Sequence, residues 1–352
     1  MNRSKWIKTV CFVAAAGLLP AQSPPKSPAY PRIDNTLGYR VDANWPRDSP
    51  PAGGEWTAPM SSVSIAPDGN IWTFNRGKIP VQVYTPDGKL VKSWGLGMFK
   101  NPHTIRVDAA GGVWIIDRDM HTVQNFTPDG KLLLTVGTPG EPGEDQTHMN
   151  MPNDVVIAPN GDLYVSDGYG NNRIVVFDKH GKFLRTWGKL GHAPGEFSQP
   201  HSVALDSKGR VYVADRNNAR VQIFDSNGRF ITEWKNIVVP SALAITKSDE
   251  VYVGGSSPML WAELPASQGA LTRPKDQLFM KLDTEGRLKQ LWVIPKGIDE
   301  HEGPDQINGL HSMAVGADGS VYLAETQGWR ARKYVLAGTL AERHAASEGS
   351  SK

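Results

Sequence analysis

The sequence predicts an all-β fold, a six-bladed β-propeller, and three observations carry that reading. From residue 61 onward one unit of about 40 to 50 residues recurs around the chain. Within each copy apolar and polar residues alternate with the period of a half-buried strand. Glycine turns fall at matching places, as "PDG" at 86–88 and 128–130, "KHG" at 179–181, "SNG" at 226–228 and "TEG" at 284–286.

The unit is plainest in "HSVALDSKGRVYVADRNNARVQIFDSNGRFITEW", four short segments split by "SKG", "RNNA" and "SNG". Turns this tight join antiparallel neighbours and put Gly where positive φ is needed, so each unit is a four-stranded sheet. Units begin at Ser61, His103, Asn153, His201, Ser241 and His311. Six such sheets fit blades around a central channel; a β-sandwich, the alternative, does not require one pattern six times. The last unit runs out after "WRARKYVLAG", short of a fourth strand, so a segment ahead of residue 61, within "GYRVDANWP", is expected to close the ring. Trp94, Trp187, Trp234 and Trp292 recur on the outer strands, where large rings suit packing between blades.

The propeller is assigned to residues 41–338. Residues 1–23 read as a secretory signal peptide: Arg3, Lys5 and Lys8 precede the apolar run Val10 to Leu19, and small residues follow at Ala21 to Ser23. That run is short for a bilayer span and no second one follows, so a mature chain without a transmembrane segment, secreted or periplasmic, is expected. Residues 24–40 form a Pro-rich linker and 339–352 a flexible polar tail. The sole cysteine, Cys11, lies in the signal, so the mature chain would carry no disulfide despite an oxidising compartment. Removing three basic residues leaves 35 of 38 against 36 acidic ones, a net charge of about −1 that gives no argument for nucleic acid. A monomer is expected.

Counting eight residues back from Gly69, Gly111, Gly161, Gly209 and Gly319 lands on Ser61, His103, Asn153, His201 and His311. The fifth repeat lacks that Gly and aligns through "LAI" on Ser241, so His alternates with small or neutral residues around the ring. Each of these residues starts an innermost strand, which brings His103, His201 and His311 toward the axis from directions about 120° apart. Three neutral imidazoles with an open fourth direction match a catalytic zinc site, completed by water or substrate. The alternative is a set of polar side chains lining a wet channel. Second strands return to the same mouth, which brings Arg76, Tyr169, Arg216 and, by register, Arg118 around it. Asp117, Asp167 and Asp215 recur there and read as turn caps. The long loops 137–153, 254–276 and 294–310 open on this face, and such loops on a rigid scaffold are where binding resides. His121, His148, His192 and His301 lie in or near that rim as weaker metal candidates; His180 sits in a far-side turn and His344 in the tail.

The stretches "FSQPHSVALD…VYVADRNNARVQIF", "MPNDVVIAP…LYVSDGYGNNRIVVFD", "FNRG" and "GLHSMAV" resemble the NHL-repeat propellers and, within them, the peptidyl-α-hydroxyglycine α-amidating lyases. The resemblance covers most of residues 55–335. Those lyases split a peptide ending in α-hydroxyglycine into a peptide amide and glyoxylate. The resemblance implies Zn²⁺ on His103, His201 and His311, a basic Tyr169, and Arg76 and Arg216 near a small-molecule or peptide C-terminal substrate. It also implies a structural Ca²⁺ in the channel, held by the main-chain carbonyls of Val63 and Ile105 and by an Asp after the last His. This sequence has Ser312 at that position, so the calcium lacks its carboxylate. No companion copper monooxygenase domain accompanies these residues, so the hydroxylated substrate would come from elsewhere. A non-catalytic NHL propeller that binds a protein or glycan across its loop-rich face is the alternative. A lactonase-like hydrolase stands third, since such propellers generally use carboxylate and amide ligands.

Overall fold

A computed structural model describes residues 37–48, 58–256, 276–295, 303 and 306–339. The expected signal segment with Cys11, most of the linker, loop residues 257–275, His301 and the tail with His344 lie outside the described residues.

The described chain folds into six four-stranded antiparallel sheets, one for each repeat. In the fourth, Pro200–Leu205, Val211–Asp215, Arg220–Phe224 and Phe230–Lys235 pair in chain order, as the alternation and glycine turns require. The innermost strands are Met60–Ile65, Pro102–Val107, Asp154–Ile157, Pro200–Leu205, Val239–Ile245 and Leu310–Val315, and they pack against one another as a closed ring. The sixth sheet takes its outer strand from Leu37–Val41, antiparallel to Arg330–Thr339. That strand begins inside the stretch assigned to the linker. The physical reason is the unpaired edge that the sixth repeat, with three strands of its own, would otherwise leave open.

The core lies between blades. Ala204, Tyr212 and Ala214 of the fourth pack on Leu243, Val253 and Met280 of the fifth. Outer-strand indoles seal the same seams: a Cβ on Gly130, Gly228 or Gly286 would stand 2.8, 2.5 or 2.4 Å from Trp94, Trp187 or Trp234. These glycines also hold φ near +80°, so both close approach and backbone require them. Trp292 stacks on Phe279 of its own blade and meets Tyr39 of the closing strand at 4.4 Å.

One irregularity recurs and positions the site. Pairing in the fourth blade steps from Pro200↔Asp215 to Ser202↔Ala214 and leaves His201 without a partner; the same step isolates Ser61, His103, Ser241 and His311. Such a bulge breaks the two-residue alternation and re-aims the side chain. In the second, fourth and sixth blades it lets His103, His201 and His311 converge, while the Ser61 hydroxyl donates to the Phe74 carbonyl of its own blade at 2.9 Å.

Candidate metal centre

The ligand atoms of His103, His201 and His311 all lie within 4.8 Å of one another, and among the described residues this is the one such group. The ring centroids form a nearly equilateral triangle of 5.5, 4.7 and 4.8 Å. Each Nδ1 stands against a carbonyl of the following blade: His103 on Asn153 at 2.6 Å, His201 on Ser241 at 2.7 Å, His311 on Ser61 at 2.7 Å. A carbonyl only accepts, so Nδ1 carries the proton and donates, and the Nε2 lone pair faces the shared space. The residues between the histidines are therefore their acceptors as well as spacers, a role in the same sequence column that reading by side chain alone overlooks.

Burial is the first cause that holds all three imidazoles below their ordinary pKa. The neighbouring imidazoles add to it for His103, Arg216 for His201, and Arg76 for His311, which falls to about 3. All three are neutral at pH 7 and able to ligate. An all-imidazole donor set with carbonyls behind every ring fits zinc and other borderline transition metals better than the hard oxygen-seeking cations.

Carboxylates at the ends of the second strands hold the segments that lead into the histidines. Asp117 accepts from the amides of Lys100 (2.6 Å) and Asn101 (2.9 Å), Asp215 from Ser198 (2.7 Å), and Glu325 from Asn308 (3.0 Å). Asp167 does the same for Asn150, ahead of Asn153, at 2.8 Å. The expected role of turn cap is thus corrected: neither Asp117 nor Asp215 bonds the amides of the turn it precedes. The amides in need of partners are those of the segment feeding the inner strand, which has no ladder of its own. Arg173 and Arg220 pair with Asp167 and Asp215 at 2.9 and 2.7 Å and reach on to carbonyls of the loops around His148 and His192.

The second strands deliver the remaining residues. The Tyr169 hydroxyl lies 3.0 Å from His201 Nε2 and 3.4 Å from His103 Nε2. Arg118 sits over its ring at 5.4 Å, a cation–π contact, while pairing with Asp119. Arg76 donates through Nε to the Pro102 carbonyl at 3.2 Å, directly before His103; burial holds its guanidinium below the usual pKa, and Tyr169 opposes that shift. Arg216 lies close enough to His201 and His311 to depress both. A cleft of about 490 Å³ opens beside Arg76, with Lys78, Leu96, Phe99 and Lys100 among its lining. The other described histidines lie outside this centre. His121 accepts from the Met151 amide at 3.0 Å, His148 pairs with Asp145 at 2.9 Å, His192 meets Asn218 at 2.6 Å, and His180 is exposed in its turn.

The NHL repeat family matches residues 149–177 and 197–224. Over 94 residues the chain is 46% identical to the peptidyl-glycine alpha-amidating monooxygenase of Mus musculus, which takes in 25% of this chain and 10% of that protein. It spans about a tenth to a quarter of the length of the first curated relatives it matches. It is 26% identical over 256 residues to the probable peptidyl-alpha-hydroxyglycine alpha-amidating lyase of Caenorhabditis elegans, covering 70% of this chain and 67% of that one. Human NHL repeat-containing protein 3 is 33% identical over 196 residues, 52% of this chain and 55% of its own. Among solved structures, a gluconolactonase from Xanthomonas campestris superposes with a TM-score of 0.57 at 11% identity, over 79% of this chain and 86% of that one, a likeness of fold alone.

Proposed function

We propose, from a six-bladed NHL-repeat propeller that resembles the α-amidating lyases, that this protein is a secreted zinc-dependent lyase. It would cleave the C–N bond of an α-hydroxyglycine-like substrate to an amide and glyoxylate. The observation that carries this reading is the triad itself: three neutral imidazoles converging within 4.8 Å, with the Tyr169 hydroxyl in hydrogen-bond reach of two of them.

His103, His201 and His311 would hold the zinc, whose Lewis acidity lowers the pKa of an oxygen it polarises. Arg76 of the first blade and Arg216 of the fourth stand on opposite sides of the mouth, and either suits the terminal carboxylate, since a guanidinium fork matches a carboxylate bidentately. Tyr169 then acts as base and takes the proton of the α-hydroxyl. As the oxygen's electron pair forms the carbonyl, the C–N bond breaks and its electrons go to the amide nitrogen. That nitrogen needs one proton, and Tyr169 holds the one just removed, so the reaction is proton-neutral. The cleft beside Arg76 offers the acyl portion a mixed apolar and cationic wall. The same reading takes the protein as a secreted or periplasmic monomer without a nucleic-acid partner; among the described residues no helix is long and apolar enough to cross a membrane.

The test is metal content by mass spectrometry on purified wild type and His201→Ala, followed by glyoxylate release from an α-hydroxyglycine peptide by wild type and Tyr169→Phe. About one zinc per chain is expected, lost in His201→Ala, with the rate down about 10²-fold or more in Tyr169→Phe. Less than about a tenth of an equivalent of zinc in unstripped wild type would sink the reading. Retained zinc without glyoxylate release would favour the non-catalytic binding propeller.

A further inference from the structure

The residues just after the bulged positions form a second polar ring in the channel. Ser62 Oγ lies 3.2 Å from Ser312 Oγ, Thr104 Oγ1 donates to the Asn153 carbonyl at 2.6 Å, and Ser202 Oγ donates to Asp154 Oδ2 at 2.6 Å. Arg106 reaches into this ring. Its Nη1 donates to the carbonyls of Val63 and Ile105, each at 3.4 Å, and its Nη2 donates to Asp154 Oδ2 at 2.8 Å. The Asp154 side chain is 3% exposed and that of Arg106 19%. Asp154 also accepts from the amides of Val155 (2.9 Å) and Val203 (3.3 Å), so one ion pair ties inner strands of the first four blades.

The two carbonyls that Arg106 engages are the two expected to bind calcium. Calcium takes six to eight oxygens at about 2.3–2.6 Å, usually with carboxylates among them. Here the carbonyls already face a guanidinium, the expected third ligand, Ser312 Oγ, is neutral and accepts from the Val63 amide at 3.4 Å, and the carboxylate of this ring, Asp154, is taken up by Arg106, Ser202 and the Val203 amide. A divalent ion beside Arg106, whose side chain is largely buried, would meet like charge at short range. The residues present do not fit calcium. A planar fork of five donors, by contrast, suits two carbonyls and a carboxylate together.

We propose that Arg106 is the resident cation of this channel: its guanidinium stands in place of the calcium ion and, with Asp154, pins the inner strands. Because that cation is covalently attached, the pin holds at any calcium concentration. The inference concerns the scaffold and stands whether or not the protein is a lyase.

The test uses full-length protein stripped of metal and reloaded with one equivalent of zinc, since chelators remove both ions. Calcium chloride is then titrated by calorimetry, and Tm is measured with and without a saturating excess. Wild type is expected to show no stoichiometric calcium binding and a Tm constant within about 1 °C, whereas a filled site at a hundredfold excess over Kd would add about 5 °C. Arg106→Ala strands Asp154 and is expected to lower Tm by about 6 °C or more. Saturable calcium binding that stabilises wild type overturns the proposal, and so does an Arg106→Ala protein that melts with wild type. Should Arg106→Ala fail to accumulate as folded protein, the wild-type titration decides alone.

Discussion

Gly168 joins the Asp167 clamp to Tyr169, and replacing it by alanine tests how tightly the proposed base is held against the imidazoles. A Cβ at 168 would stand 2.1 Å from the Pro200 carbonyl oxygen and 2.6 Å from Asn153 Oδ1. Real Cβ contacts essentially never fall under 3.0 Å, so something must give by at least 3.0 − 2.1 = 0.9 Å. Pro200 pairs with Asp215 and directly precedes His201, and the Asn153 carbonyl accepts from His103; both are part of the closed inner ring. Residues 168–172, which carry Tyr169, lie between strands rather than in a ladder, so the shift is expected to fall on them. Moving the Tyr169 hydroxyl by that amount along the line from His201 takes 3.0 Å to 3.9 Å, past hydrogen-bonding distance. A misplacement of about 1 Å at a reacting group costs about 10²-fold in kcat. Overpacking at a filled position costs about 1–3 kcal/mol. Under the proposed function, Gly168→Ala is therefore expected to release glyoxylate about 10²-fold more slowly, to unfold at lower urea and to bind zinc as wild type does. A variant with wild-type kcat and wild-type urea midpoint would refute the placement of Tyr169.

Asp215→Ala removes a carboxylate with 0% exposure from Arg220, itself 3% exposed, and frees the Ser198 amide ahead of His201. It should cost about 3 kcal/mol in urea unfolding and weaken zinc about 10–100-fold by chelator competition; an unchanged zinc Kd would mean the clamp does not orient His201. Glu325 tests pH dependence. Burial raises its carboxyl from 4.5 to about 6 and outweighs Arg330 and Arg332, which pull it down. The folded state thus holds a proton that the unfolded chain releases. This contribution is fully present below about pH 4.5 and is lost as pH rises through about 6, a difference of about 1.5 × 1.4, or roughly 2 kcal/mol. The stability of wild type relative to Glu325→Gln should fall by about that amount between about pH 4 and 7, and a gap independent of pH in urea melts would contradict the shift.

The six blades were legible because their signals are local. Period-2 alternation sets which residues face the seams, and each turn glycine meets its own φ requirement within a few residues. Those same glycines gave a ruler, and counting back from Gly111, Gly209 and Gly319 was enough to align His103, His201 and His311. Tyr169, Arg76 and Arg216 followed from the antiparallel return of the second strand to the same mouth. Asp117 and Asp215 were visible as a recurring position but not in their role, because the amides they hold lie 16 or 17 residues earlier.

By itself the sequence determined the number of blades, the closure by an N-terminal strand and the identity of the three converging imidazoles, since all of these depend on order and spacing along the chain. Only the tertiary structure decided how the imidazoles work. A bulge exists only relative to the partner strand, and the carbonyls that fix each Nδ1 come from the next blade, 40 to 50 residues away for His201 and His103. The same holds for the channel cation. Arg106 and Asp154 are 48 residues apart, and nothing in either neighbourhood says that they meet until six inner strands close around them.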